Sequence, residues 1–293
     1  MEVKDLLLLF KEEKSRRQRS ETLQTWAIFW ANLKIFLSYR TWVITETMST
    51  VASIIMYSFI GLQIKPEQIV EAGYGSSWLA FALIGVASSN YLWMCISRLS
   101  HSIKHEIQDG TFEAIISSPV KLRSYVIGQS IRGFLVSAYF MVGALLVGTL
   151  LCGVHLVLNI QTVVSSIILL FLLVTSHLGI GIVAAGLILV YKRGDPLTFL
   201  FSAFIEFFGG VLFPLQLLDN YPILSIVAWS MPYAHALEAL RRVLLRGDTL
   251  LTLALFDDVA VLILYTLVFI PLGLLAFRWG YNKVRMEGTT ASY

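Results

Sequence analysis

The chain has 293 residues, of which 57% are hydrophobic and only 14% charged, with a formal net charge of +3. Soluble domains carry about 25% charged residues, so a water-solvated globule is excluded and the solvent to be expected is lipid. The basic residues are spread among segments flanking apolar runs, which argues against nucleic acid as a partner, and the two cysteines, Cys95 and Cys152, have no metal or disulfide spacing.

Residues 1–20 are polar, and Lys11, Lys14, Arg16, Arg17 and Arg19 form a basic block expected in the cytoplasm beside anionic lipid. The apolar run at 6–10 is shorter than the roughly 7 to 15 residues of a signal-peptide core, so an uncleaved N-terminus is expected. Leu23, Trp26, Trp30, Leu33 and Leu37 then recur at helical steps, which predicts a helix lying along the inner leaflet. Residues 1–40 are therefore read as a cytoplasmic N-terminus with an interfacial helix, and 41–293 as one transmembrane domain.

About 20 apolar residues rising 1.5 Å each cross a ~30 Å hydrocarbon core. On that scale spans are predicted at 42–62, 78–96, 125–152, 163–191, 197–213 and 259–279. Glycines in the third span, with the Ala144/Gly148 pair, and Gly179, Gly181, Ala185 and Gly186 in the fourth offer thin faces for close helix approach. Arg278, Lys283 and Arg285 assign the C-terminus to the cytoplasm, as an even number of spans requires.

Between the second and third spans, residues 97–132 make the longest polar run between strongly apolar segments, with Arg98, Lys104, Lys121 and Arg123 facing the cytoplasm. Asp109-Gly110 reads as a break and helix start, Glu113 suits a first turn, and Phe112, Ile115 and Ile116 share one face. Ser118-Pro119 begins a further helix that runs into the third span. The short amphipathic helix has two possible partners by pattern: lipid headgroups or a groove on a soluble protein.

The segment 214–258 is too apolar for a loop, yet each half is too short to span, with Pro222 and Pro232 as breakers. A re-entrant helical hairpin in the outer leaflet, between the fifth and sixth spans, is the expected solution. Arg241, Arg242 and Arg246 then lie outside, against the charge bias, and a pair from Glu238 to Arg241 or Arg242 is available by helical spacing. The fold class is an all-α membrane protein.

Glu46, Arg132, His177 and Glu206 fall at membrane depth, where ionisable groups are functional candidates. Glu46 and Arg132 are near enough to the inner headgroups to reach them. His177 reads first as a hydrogen-bonded packing residue and second as part of a pathway, together with Glu206 among Phe201, Phe204, Phe207 and Phe208. Enzyme chemistry has weak support. The chain has no G-x-x-x-x-G-K-[ST], Ser88 and Ser89 have no G-x-S-x-G around them, and His101 and His105 have no third ligand in sequence.

The run DGTFEAIISSPV with the following LRSYVIGQSI, and the segment GGVLFPLQLLDNYPILSIVAWSMPYAHALEALRRVLLRG, resemble two stretches of the type-2 ABC exporter (ABC-2 type) permeases. Met231 before Pro232 departs from the family's Asn-like residue there. The resemblance implies a coupling helix at Asp109, Gly110, Thr111, Phe112, Glu113, Ile115 and Ile116 that docks on a separate ABC ATPase subunit, which favours the protein groove over lipid. It also implies an outer gate at Pro214, Pro232, Glu238 and Arg241. ATP and Mg would be bound by the partner subunit, with no cofactor in this chain. A second permease copy, as a homodimer, and membrane lipid complete the expected partners. The implied function is export of a hydrophobic or amphipathic substrate (a drug, a lipid or a lipid-linked glycan) across the plasma or inner membrane. A secondary carrier or channel is the alternative, although no internal repeat supports it.

Overall fold

The computed structural model describes residues 3–61, 70, 74, 77–111, 114, 118, 120–191, 195–250 and 252–287. All regular structure among the described residues is helical. Helix α1 spans Val3–Ser38 and α2 spans Arg40–Gly61. They meet at Tyr39, where Trp42 of α2 stacks edge-on against Phe36 of α1, 5.5 Å between centroids. The predicted interfacial segment is thus the C-terminal part of one continuous 36-residue helix, with Leu23, Trp26 and Trp30 exposed.

Helix α3, Trp78–Trp93, is the centre of the fold. Its start is fixed by Ser77, whose hydroxyl accepts the Ala80 N–H at 3.2 Å. Phe81, Ile84, Tyr91 and Leu92 are fully buried by the helices around them. A π turn at Met94–Arg98 carries the chain into α4, Leu99–Gln108. Helix α5, Leu122–Cys152, ends where Gly153 takes a left-handed φ of 66°. Helix α6, Ile160–Tyr191, opens on a reciprocal cap: Asn159 Oδ1 accepts from the Thr162 N–H at 2.8 Å, and Thr162 Oγ1 from the Asn159 N–H at 2.9 Å.

Helix α7 covers Asp195–Phe208. It is followed by a 3-10 turn at Leu215–Leu218, then α8 at Pro222–Trp229 and α9 at Pro232–Arg241, which continues through a π turn at Arg242–Arg246. After a second 3-10 turn, α10 runs from Phe256 to Glu287. The most extensive helix packing joins α6 to α10, and glycines make it possible. A methyl group on Gly179 would lie 2.3 Å from the Phe269 carbonyl oxygen, and one on Gly280 would lie 2.4 Å from the Gly186 carbonyl oxygen. Gly181 points elsewhere, with its Cβ position 2.0 Å from the Cys95 carbonyl oxygen in the π turn after α3. The thin face read from the fourth span therefore serves two neighbours.

Among the described residues, four helices are long and apolar enough to cross a membrane singly: 78–96, 124–152, 160–191 and 253–284. The pair α8 and α9, bent by 82°, passes the same test only as a unit and raises the number to five at most. Two of the six expected spans differ from expectation. Helix α2 has 22 residues, about 33 Å of rise, but Arg40, Glu46 and its Ser and Thr residues dilute its apolar character. The span expected at 197–213 is cut short, because α7 stops at Phe208 and Gly210 turns the chain with a φ of 72°. A Gly-Gly pair ahead of Phe213-Pro214 cannot extend a helix cheaply.

Candidate functional site

Two polar constellations stand out from the apolar packing. The first surrounds the bent pair. Pro222 and Pro232 each occupy the first turn of a helix, where a missing N–H costs nothing; Pro222 starts α8, and Pro232 starts α9 at the bend between the two. Helix α9 is then buried on nearly every side: Tyr233, Ala236, Leu237, Leu240 and Arg241 are 0 to 1% exposed. The Arg241 guanidinium donates from Nη1 to the Gly210 carbonyl at 2.8 Å, from Nη2 to the Val211 carbonyl at 2.7 Å, and from Nε to the Phe81 carbonyl at 3.3 Å. Its carbon lies 3.3 Å from the centroid of the Phe81 ring. Gly85 makes the room, since a methyl group there would sit 2.3 Å from the Val211 carbonyl oxygen and 2.8 Å from Nη2 of Arg241.

Of the two ion pairs available to Glu238, the one formed is with Arg242, Nε to Oε1 at 3.2 Å. Arg242 also approaches Asp258 of α10 at 3.5 Å. Asp258 meets His235 Nδ1 at 2.7 Å, and His235 Nε2 faces the Trp229 carbonyl at 2.9 Å. Both ring nitrogens of His235 thus face acceptors, an arrangement that only the protonated ring satisfies fully. Beside this network, burial and the nearby Glu238 carboxylate push the Tyr74 phenol above its usual range.

The second constellation is a half-open cavity of about 180 Å³ lined by α2, α3, α5 and α7. Glu46 and Glu206 both line it, with Thr50, Ser53, Ser89 and Asn90. Glu206 is oriented by the indole of Trp93, whose Nε1–H donates to Oε2 at 2.8 Å. His177 does not line this cavity. Its ring is buried in α6, with Nδ1 2.8 Å from the Leu173 carbonyl, and stands edge-on to Tyr233 at 6.1 Å. The Tyr233 hydroxyl lies 3.3 Å from Ser89 Oγ, so His177 is two side chains removed from the cavity wall. Arg132 is elsewhere again, 5.9 Å from the Phe36 ring on the α1 side.

At the segment expected in the cytoplasm, Asp109 and Thr111 are exposed and Gly110 has a φ of 71° with open space around it. The Thr111 N–H returns to the Glu106 carbonyl at 2.9 Å, so the break ends α4. Phe112, Glu113, Ile115 and Ile116 lie outside the described residues. Downstream, the start of α5 is fastened to two other helices. Lys121 pairs with Glu21, and its N–H donates to Gln24 Oε1 at 3.2 Å. Ser102 of α4 meets Tyr125 at 2.9 Å and Gln129 at 3.0 Å. Pro214 is buried at the entrance to the 3-10 turn, directly after the residues that receive Arg241.

Phe81, Gly85 and Trp93 were not anticipated from the sequence as functional positions. Gly85 ahead of the Ser88-Ser89 pair was a usable signal for a thin face, whereas no pattern in the sequence marks Trp93 out.

The family model described as ABC-2 type transporter matches residues 23–245, more than half of the chain. No curated protein matches the sequence.

Proposed function

The chain belongs to the ABC-2 type transporter family, and we propose that it is the membrane subunit of an exporter driven by a separate ATPase. The chain is a multi-pass membrane permease of the ABC type, and all regular structure among its described residues is helical. Beyond that, a homodimer of permeases is expected, with ATP and Mg on the partner subunits and both termini in the cytoplasm. The six-span arrangement with an outer re-entrant hairpin remains the preferred topology, with α2 as the first span and α7 as a short fifth one. The 82° bend between α8 and α9 supports the hairpin.

The observation that carries the reading is the fastening of α5. This helix starts immediately after the proposed coupling segment, runs unbroken for 31 residues, and is held at its base to both α1 and α4. A push arriving at residues 109–117 is therefore delivered to a rod about 46 Å long. That rod reaches the outer side. The bent pair, with Pro214, Pro232, Glu238 and Arg241, is the natural gate there, because it is packed against α3 and the end of α7.

The test is co-purification and flux with a cognate ABC ATPase. Phe112→Ala and Glu113→Ala should uncouple ATP hydrolysis from substrate efflux while leaving the permease folded and its ATPase still detectable. Unchanged efflux and unchanged ATPase capture in both variants would remove the coupling role. Transport by the chain alone under an ion gradient would favour a secondary carrier instead.

A further inference from the structure

The cavity that holds Glu46 and Glu206 borders a second space of opposite character. An apolar groove of about 420 Å³ runs between α2 and α5, lined by Val51, Leu135, Tyr139 and Leu146 among others. It shares Thr50 and Ala144 with the polar cavity. A single molecule filling both spaces has a compact polar head and an apolar tail.

The charge of that head follows from where the hydroxyl protons go. Thr50 donates to the Glu46 carbonyl at 3.0 Å, Ser53 to the Ser49 carbonyl at 2.9 Å, and Ser89 to the Gly85 carbonyl at 3.1 Å. These three hydroxyls therefore have only lone pairs left for a ligand, whereas Ser49 and Asn90, also on the wall, can donate or accept. Glu206 has one oxygen held by Trp93 and the other uncommitted, and Glu46 has no side-chain partner among the described residues. No Lys, Arg or His occurs among the described residues lining the cavity. Two carboxylates with no cation on the described wall disfavour phosphate, sulfate or carboxylate heads and suit a donor or a positive charge. The cavity of about 180 Å³ exceeds the ~150 Å³ that admits a benzene ring, enough for an ammonium or trimethylammonium group.

We propose that this permease takes cationic amphiphiles, with the ammonium head on Glu46 and Glu206 and the alkyl tail along the groove between α2 and α5. The proposal deepens the transport reading and rests on it for its biological meaning, yet its test needs no ATPase. The full-length chain in lipid nanodiscs is photolabelled with a dodecyltrimethylammonium analogue carrying a diazirine in mid-chain, and the labelled peptides are mapped. Adducts are expected within 47–51 and 135–147. Unlabelled dodecyltrimethylammonium should displace them, and dodecyl sulfate or dodecanol should not. Labelling should fall roughly tenfold in Glu206→Gln and in Glu46→Gln, with elution volume and unfolding temperature matching the wild type. If Glu206→Gln fails to fold, Glu46→Gln alone decides the matter, since Glu46 loses no internal partner. Labelling indifferent to both carboxylates, absent from the groove, or competed equally by dodecyl sulfate overturns the proposal. Failure to capture an ATPase would count against the transport reading and leave the labelling result intact.

Discussion

The two ends of the permease are held together in opposite ways. Around the bent pair, a fully buried guanidinium is satisfied by three main-chain carbonyls from α3 and the turn after α7. At the base of α5, contacts to α1 and α4 run through Lys121, Gln24, Ser102 and Gln129, all of them partly exposed. Buried polar groups are costly to leave unpaired, whereas exposed pairs hold little free energy and rearrange readily. One end is locked to a single geometry. The other can be moved by a modest force, which is what the proposed coupling role requires.

The sharpest way to break this contrast is Arg241→Ala. It removes the donors from the Gly210 and Val211 carbonyls and empties the space beside Phe81, and the expected loss is roughly 3 kcal/mol. Thermal unfolding in nanodiscs should show it as a markedly lowered midpoint, and an unchanged midpoint would mean that the clamp does not hold the bent pair. Next comes Gly85→Ala. Its new methyl group would collide with the Val211 main chain, at an expected cost of about 1 to 3 kcal/mol, and cysteine accessibility at residue 211 should rise as the turn is pushed away. The smallest effect is expected from Glu21→Gln, which removes an ion pair whose lysine is 35% exposed. Stability should fall by less than about 1 kcal/mol. A loss as large as that of Arg241→Ala would erase the proposed difference between the two ends.

Local signals were legible in the sequence. Pro222 and Pro232 marked the break in the segment after α7, and Asp109-Gly110 marked the chain break after α4, because proline and glycine act on their own backbone. Helix α4 was missed, since its ten residues were read only as part of a polar run. The fifth span was drawn too long because apolar character alone was followed through Gly209-Gly210. Long-range partners were beyond pattern reading. Helical spacing offered Glu238 either Arg241 or Arg242, and Arg242 takes it; the acceptors of Arg241 come from residues 30, 31 and 160 positions away, and a carbonyl leaves no trace in residue type. Glu46 and Glu206 were each singled out, yet only the packing of α2 and α7 around α3 brings them to one cavity.

The Arg241 clamp also bears on how the protein is made. Its three acceptors, at Phe81, Gly210 and Val211, all precede the arginine in the chain. During synthesis from the N-terminus they enter the bilayer first, so the receptacle is complete before its occupant leaves the ribosome. A nascent chain halted before residue 232 would hold those carbonyls without a donor, which makes the arrival of α9 a natural checkpoint for quality control during membrane insertion.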